Sequence, residues 1–467
     1  VRLLLISLFS LFLSLILIMS GNAYLMTLIG VQLGIQGIAS ATIGYIMVGY
    51  SVGFVGGAFF APKLLMRVGH IRSFAALASI TAMAAITYPL IDNVWLWALL
   101  RLIGGFAVAA LFVAIESWIS AVSSNDNRAR LLALYSIAAY SASAGGQLLI
   151  QPGLNAGSNA AYIFAALLLM ASVIPLSISR LQSPPIEPSE NMSLKKLWNI
   201  TSLGVLTAMS AGALIGGFYS LTPLFATLIG FSTSQVGLLM SASVFSAMIL
   251  AWPIGWICDR VERSRVLFVS AIVAGVAALL VTISSELPFT LVAILLSIFM
   301  ALIASIYSIA VALTNDLVDP SERVPASSAL MLSYGIGSII GPLSGAWLME
   351  FIGTPMLFAG FASTLFGLAI FTLYRRNQQT PIPVEDQEQF VVTVPEAQVV
   401  TELDPRSEEQ EEIPIEELFP EEMSQSAEDD IQRPEDELNE HHQEIDSKAG
   451  SYRDLDRDIE EENHRVV

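Results

Sequence analysis

Long apolar runs separated by short polar stretches set the pattern of this chain. Runs of the ~20 residues that a bilayer core requires of a helix cover 4–29, 43–65, 74–91, 94–117, 131–150 and 160–178. A second series covers 203–229, 236–257, 266–284, 287–313, 326–349 and 351–374. The pattern predicts about twelve membrane-crossing helices, six on each side of a polar link from Arg180 to Lys196. Within the link Pro184, Pro185, Glu187, Pro188 and Ser189 read as a flexible connector. The first run is too long for the core of a signal peptide and is read as a retained span. The expected organisation is an all-α membrane protein: a six-helix bundle over 1–180, a cytoplasmic linker over 181–197, a second six-helix bundle over 198–376, and a tail over 377–467.

The two series repeat each other. Ala41, Thr42, Ile43 and Gly44 open a run that ends in Pro62, Arg67 and Arg72; Ser234, Gln235, Val236 and Gly237 open another that ends in Gly255, Arg260 and Arg265, each 193 residues later. Arg128 with Arg323 and Gly146 with Gly341 continue the match at 195. A hydrophobic chain made of two copies of one helical unit is the architecture of a secondary transporter working between pseudo-symmetric bundles.

Loop charge orients the spans. Lys63, Arg67 and Arg72 follow span two, Arg128 and Arg130 span four, and Arg180, Lys195 and Lys196 span six. Arg260, Arg263 and Arg265 follow span eight, Arg323 span ten, and Arg375 and Arg376 span twelve, whereas loops after odd-numbered spans hold no Lys or Arg. The positive-inside rule then places both termini in the cytoplasm, in what is expected to be a bacterial inner membrane. Trp95 and Trp97 stand where an interfacial aromatic belt would.

Composition changes the picture at one place. The chain is 54% hydrophobic with mean hydropathy +0.65 and formal net charge −19. The residues after Arg376 hold 29 acidic and 6 basic side chains, and those before it 12 acidic and 16 basic. The acidity therefore belongs to a tail too poor in apolar residues to fold alone, and the body is mildly basic. Neither part reads as binding nucleic acid. An apolar island in the tail, 413–419, is a weak candidate for a protein partner, and an inert solvated tail is the blander reading. Cys258 is the sole cysteine, so no internal disulfide is available. No cluster has metal-ligand spacing, no nucleophile has a histidine partner and no phosphate-binding glycine loop precedes a lysine, so neither an enzyme, a cofactor nor an ATP-driven pump is expected.

Ionisable residues inside the spans are few, which makes each a functional candidate. Arg101 lies ~10 Å into span four at ~1.5 Å rise per residue. Either it faces a central cavity and holds an anionic substrate group or influences a proton site, or it snorkels outward or is pinned structurally. Glu116, on the same helix, lies ~22 Å further along and ~60° around the axis. It is either a proton carrier whose affinity is raised by burial or an interfacial carboxylate paired with Arg128 or Arg130. Asn22 and Tyr24 in span one match Gly217 and Tyr219 in span seven at an offset of 195, and Tyr140 and Gln147 lie in span five. These groups suit recognition in a mostly apolar cavity, or plain interhelical hydrogen bonding. Gly53, Gly56 and Gly57, and Gly337, Gly341 and Gly345, allow close helix approach.

The loop after span eight, Gly255-Trp-Ile-Cys-Asp259-Arg260-Val-Glu262-Arg263, resembles the G-x-x-x-D-R-x-G-R signature of the major facilitator superfamily, with Glu262 in place of the second glycine. The loop after span two keeps Arg67, Gly69 and Arg72 but has Pro62 and Met66 where the signature has glycine and aspartate. Arg101, Gly105 and Ala109 are similar to the superfamily's fourth-helix motif, and Val113–Ser117 with Arg128–Leu132 resemble its YcaD-like bacterial branch. The resemblance covers the body from about Leu3 to Tyr374. It implies that Gly255, Asp259, Arg260 and Arg263, with Arg67, Gly69 and Arg72 as a weaker counterpart, form gating loops that clamp helix ends in one state of the cycle. Span five reads Ser143-Ala-Gly145-Gly146-Gln147 and lacks the glycine–proline signature of drug–proton antiporters, so multidrug efflux is not favoured. The expectation is a secondary transporter of a small organic solute, driven by a proton or another ion; the alternative is a non-transporting membrane sensor or scaffold that signals through its acidic tail.

Overall fold

The computed structural model describes residues 2–121, 123, 127–178, 192–378, 382–387 and 390–391. The connector, most of the acidic tail with its 413–419 island, and the Arg128 side chain lie outside the described residues, and with them the expectations placed there. The chain divides into one unit over 1–179 and 183–413 and a second over 180–182 and 414–467, the latter wholly outside the described residues.

Among the described residues there are fifteen α-helices. In the first half they are α1 (Arg2–Ile35), α2 (Ser40–Val68), α3 (His70–Thr87), α4 (Val94–Ala121), α5 (Arg128–Leu148), α6 (Ile150–Asn155), α7 (Ser158–Ala171) and α8 (Val173–Ile178). A short α9 (Leu194–Ile200) precedes α10 (Ser202–Leu228), α11 (Thr233–Cys258), α12 (Arg263–Val281), α13 (Phe289–Asn315), α14 (Arg323–Phe351) and α15 (Met356–Gln378). Eleven of the resulting spans are long and apolar enough to cross a membrane. The expected fifth, α5, is a 21-residue helix but is not one of those eleven. Its Ser, Tyr and Gln residues dilute its apolarity, and it packs on α1 and α11.

Several boundaries differ from the sequence reading. Span one runs on to Ile35, and span six is two helices, α7 and α8. The last span does not begin at Phe351: that residue closes α14, Gly353 turns the chain at φ +141°, and α15 starts at Met356. Gly69 (φ +88°) makes the α2–α3 turn in a conformation that L side chains rarely adopt. Ser232 and Gln235 form a capping box that starts α11.

Apolar burial gives no preference between helix and lipid inside a membrane, so association relies on close packing. Gly49, Gly53 and Gly57 of α2 lie directly on the carbonyl oxygens of Ala98, Leu102 and Phe106 of α4, and Gly105 lies on that of Tyr50. In the second half Gly212, Gly337 and Gly341 do the same between α10 and α14, against Tyr334, Met209 and Ala213. A Cβ at any of these positions would strike backbone.

The halves meet through α2 with α14, α5 with α11, and α1 with α10. At the end where α1 passes to α2, Ser40 N donates to Glu350 Oε2 at 2.7 Å and Trp347 Nε1 donates to Tyr45 Oη at 3.3 Å. Gly44 abuts Ala346 and Pro342, Gly34 abuts Leu224 and Thr227, and Gly237 abuts the Gln147 carbonyl. All of these lie at one end, where the two halves are in contact. At the other end an exposed Lys196–Glu322 pair ties α9 to the turn before α14.

Candidate functional site

The deepest cluster of polar side chains is built on four elements of the first half. Asn22 and Met26 share a face of α1 at i and i+4; Tyr50 comes from α2, Tyr88 from the 3₁₀ turn Tyr88–Leu90, and Trp97 and Arg101 from α4. Arg101 is 2% exposed, so it does not snorkel outward. Its Nη2 donates to Met26 Sδ, its guanidinium stands 4.5 Å from the centre of the Tyr50 ring, and Tyr88 lies beside it as a side-chain hydrogen-bond partner. Asn22 Nδ2 donates to Tyr50 Oη at 3.1 Å, which orients the ring that covers the cation.

A buried cation needs compensation of several kcal/mol, and a cation–π contact supplies ~2 kcal/mol when desolvated. Among the described residues no carboxylate pairs with Arg101, and its buried Nε has no hydrogen-bond partner. The charge is held by the Tyr50 face, the Met26 thioether and the Tyr88 hydroxyl, and Nε is left without a partner.

Further aromatics wall the cluster. Tyr88 contacts Trp97 (5.1 Å between ring centres) and Tyr162 (5.9 Å), and Trp97 donates from Nε1 to the Ile91 carbonyl at 2.9 Å. Tyr24 meets Phe164 edge-on at 5.6 Å. The hydroxyls of Tyr24 and Tyr162 are buried without a hydrogen-bond partner among the described residues. Gln147 is fully buried, accepts from Thr27 Oγ1 and leaves its own Nε2 unspent. Buried polar atoms are ordinarily satisfied, and here several orphans gather around α1.

The other expected residues fall elsewhere. Glu116 is fully buried and accepts from Tyr135 Oη of α5 at 2.7 Å. Tyr307 of α13, in the other half, lies close enough to feel its charge and packs on Tyr334 at 5.1 Å. Arg130 is exposed, so the expected Glu116–Arg130 pair is not formed. Tyr140 is buried on α5 and Tyr219 is half-buried against Phe218; neither is among the residues described as touching the guanidinium.

The two signature loops differ. Arg67 and Arg72 are exposed and make no ion pair among the described residues, and Gly69 serves as the turn. After α11, Gly255 is buried, and Arg263, 1% exposed, pairs with Asp316 and donates to the Ala312 carbonyl at 3.0 Å. Arg260 lies back on the Trp256 ring, 4.2 Å from its centre. Glu262, where the signature has glycine, bridges Arg265 (2.8 Å) and Arg376 (2.7 Å). Burial works to raise its affinity for a proton, but hydrogen bonds from Ser264 and Arg376 and the charges of Arg376 and Arg265 hold it below the usual carboxylate range. Asp259 accepts from the Phe390 backbone N–H at 2.7 Å.

A cavity of about 440 Å³ lies between α10, α14 and α15, lined by Met209, Ser210, Ser344 and Phe361 among others. It contains no charged side chain and none of the expected site residues. Its hydroxyls at Ser344, Ser363 and Thr364 donate to their own helix backbones, so the wall is apolar in effect. The polar cluster and this cavity share no residue.

Sequence reasoning did not single out Met26, Tyr50, Tyr88 and Tyr162 at the Arg101 cluster, or Asp316 as the partner of Arg263. Tyrosines in apolar runs are too common to stand out, and their convergence is a property of helix packing.

With fold and cluster in place, the relationships are clear. The family model of the Major Facilitator Superfamily matches residues 8–234 and 204–419, and the chain belongs to that superfamily. It is an MFS-type transporter, not an enzyme, embedded as a multi-pass membrane protein. It is 29% identical over 364 residues to the uncharacterized MFS-type transporter YcaD of Escherichia fergusonii, covering 78% of this chain and 94% of that one. It is 29% identical over 367 residues to the uncharacterized MFS-type transporter Ent638_1421 of Enterobacter sp. (strain 638), with the same coverage. The fold resembles that of the nucleoside transporter NupG, with TM-score 0.63 and 18% identity, covering 80% of this chain and 99% of NupG. It also resembles an auto-inhibited POT family peptide transporter, with TM-score 0.65 and 12% identity, covering 84% and 100%. At those identities the likeness is one of fold.

Proposed function

We propose that this transporter is a secondary active carrier of a small organic anion, working by alternating access between the bundles 1–180 and 198–376 and coupled to a proton or another ion. Arg101 binds the anionic group, Asn22 and Tyr50 hold the guanidinium in place, and the hydroxyl of Tyr162, which packs on Tyr88, is a further donor; Tyr24 and Gln147 offer donors around another face of α1. Glu116, between Tyr135 of one half and Tyr307 of the other, is the coupling group. The closed end, with Ser40 on Glu350 and Tyr45 on Trp347, is the outer one by the positive-inside reading, so access in this state is from the cytoplasm of a bacterial inner membrane, where both termini reside.

The observation that carries this reading is the buried, carboxylate-free Arg101 with its unspent Nε. A permanently structural arginine at this depth would be expected to have its fork neutralised by acid or carbonyl groups. The test is a thermal-shift screen of purified protein against small organic anions and their neutral amides. A ligand that binds only the folded state raises the melting temperature by an amount set by RT ln(1 + [L]/Kd). An anion that stabilises the wild type but not Arg101→Ala is the expected result. An equal shift in Arg101→Ala removes Arg101 from the site.

A further inference from the structure

The corner between α11 and α12 is held by two kinds of contact. Most are made within the second half's helices: Arg263 with Asp316 and Ala312 of α13, Arg260 on Trp256, and Glu262 with Arg265 and with Arg376 at the end of α15. The contact at Asp259 is of another kind. Its carboxylate takes a backbone N–H from Phe390, 131 positions further on and beyond the last membrane helix, at 2.7 Å.

The chain leaving α15 at Gln378 therefore returns to this corner. A 3₁₀ turn at Val384–Asp386 helps it do so, closed by Gln387 N on the Val384 carbonyl (3.3 Å) and by Gln387 Nε2 on the Ile382 carbonyl (3.2 Å). Phe390 is only 8% exposed, unlike Val384, which is 39% exposed on the same stretch. A buried aromatic ring next to a hydrogen bond to a carboxylate is the pattern of an anchor, since the ring supplies apolar area while the bond fixes the backbone. Because the donor is backbone, the contact fixes where the chain runs.

We propose that the stretch bearing 382–387 and 390–391 is an intramolecular strap, anchored by Phe390 on Asp259, that restrains opening of the α11–α12 corner. The proposal does not depend on what Arg101 binds. Both ends of the strap belong to the second half, so it resists separation of the α11–α12 corner from the end of α15 within that half.

Cys258, buried at the end of α11, is the only cysteine in the chain and the residue before Asp259, so it reports on this corner without any engineered label. The experiment measures the rate of N-ethylmaleimide labelling of Cys258 by intact mass in lipid nanodiscs. Three chains are compared: the full chain, Phe390→Ala, and a chain cut after Gln378. Rates are taken well below each chain's melting transition, so that faster labelling reports local opening and not unfolding. Losing the ring together with the hydrogen bond should speed labelling roughly tenfold in the cut chain, and losing the ring alone should speed it by a smaller factor in Phe390→Ala, which keeps the backbone donor. Equal rates in the full and cut chains overturn the strap. Faster labelling in the cut chain with no change in Phe390→Ala overturns Phe390 as its anchor. Hydrogen exchange at amides 259–262 is the second measurement and should change in the same order.

Discussion

At equivalent places in the repeat, α1 carries Asn22 and α10 carries Gly217, 195 residues later. Asn22 donates to Tyr50 and so positions the ring over Arg101. Gly217 instead lies against Phe361, whose ring occupies the space a side chain would take. The difference extends through both halves. The first buries Arg101, Glu116 and Gln147 among tyrosines, while the second packs Phe218, Phe225, Phe299, Phe358 and Phe361 against one another, with Phe299 stacked on Phe361 at 5.7 Å. By order in the repeat, α2 and α4 correspond to α11 and α13, and α1 and α5 to α10 and α14, and these pairings are kept. Gly146 lies on the Ser20 carbonyl as Gly341 lies on that of Ala213, whereas the run of glycines that closes α2 on α4 has no counterpart between α11 and α13 among the described residues. The lesson is one of placement: within its spans the first half buries Arg101 and Glu116 where the second packs phenylalanines, and the second half's buried ion pair, Arg263 with Asp316, stands at its loop end.

The comparison breaks most violently at the glycines. In Gly53→Val the branched side chain meets the Leu102 carbonyl, a backbone atom that cannot step aside. A cost above about 3 kcal/mol is expected, since the overpacking falls on main chain; loss of folded protein in membrane fractions measures it. Next is Phe361→Ala, which opens a hole in the phenylalanine cluster and enlarges the 440 Å³ cavity. It should cost about 3–5 kcal/mol by the usual large-to-small range, seen as a lowered melting temperature, while any anion-dependent stabilisation survives. An anion response lost with Phe361 but kept in Arg101→Ala would place the site in the second half.

The smallest effect concerns pH at the signature loop. Glu262 has its affinity for a proton lowered in the folded state. Its stabilisation is therefore complete above the unfolded carboxylate value and is lost as pH falls through the lower, folded value. Wild type should show a loosening of the α15 end below the ordinary carboxylate range, read by hydrogen exchange around Arg376, that Glu262→Gln lacks. The α2–α3 loop has exposed arginines and no acid at Met66, so it should show no such step.

The sequence by itself determined the class, the spans and the repeat. Runs of ~20 apolar residues have one use in a bilayer, the loop arginines read as one topology, and the Gly255–Arg263 loop carries the superfamily resemblance. It also marked Arg101, Glu116 and Asn22, because polar groups in apolar helices are costly enough to notice. Only the tertiary structure decided which groups meet. It joined Arg101 to Met26, Tyr50 and Tyr88 and gave Glu116 to Tyr135 instead of Arg130. It turned Glu262, a departure from the signature, into the bridge to Arg376, and brought Phe390 back to Asp259. The physical reason is the same throughout: hydropathy is summed along one helix and is legible locally, whereas a contact between helices depends on rotation and crossing, which close packing at a few glycines settles across the chain.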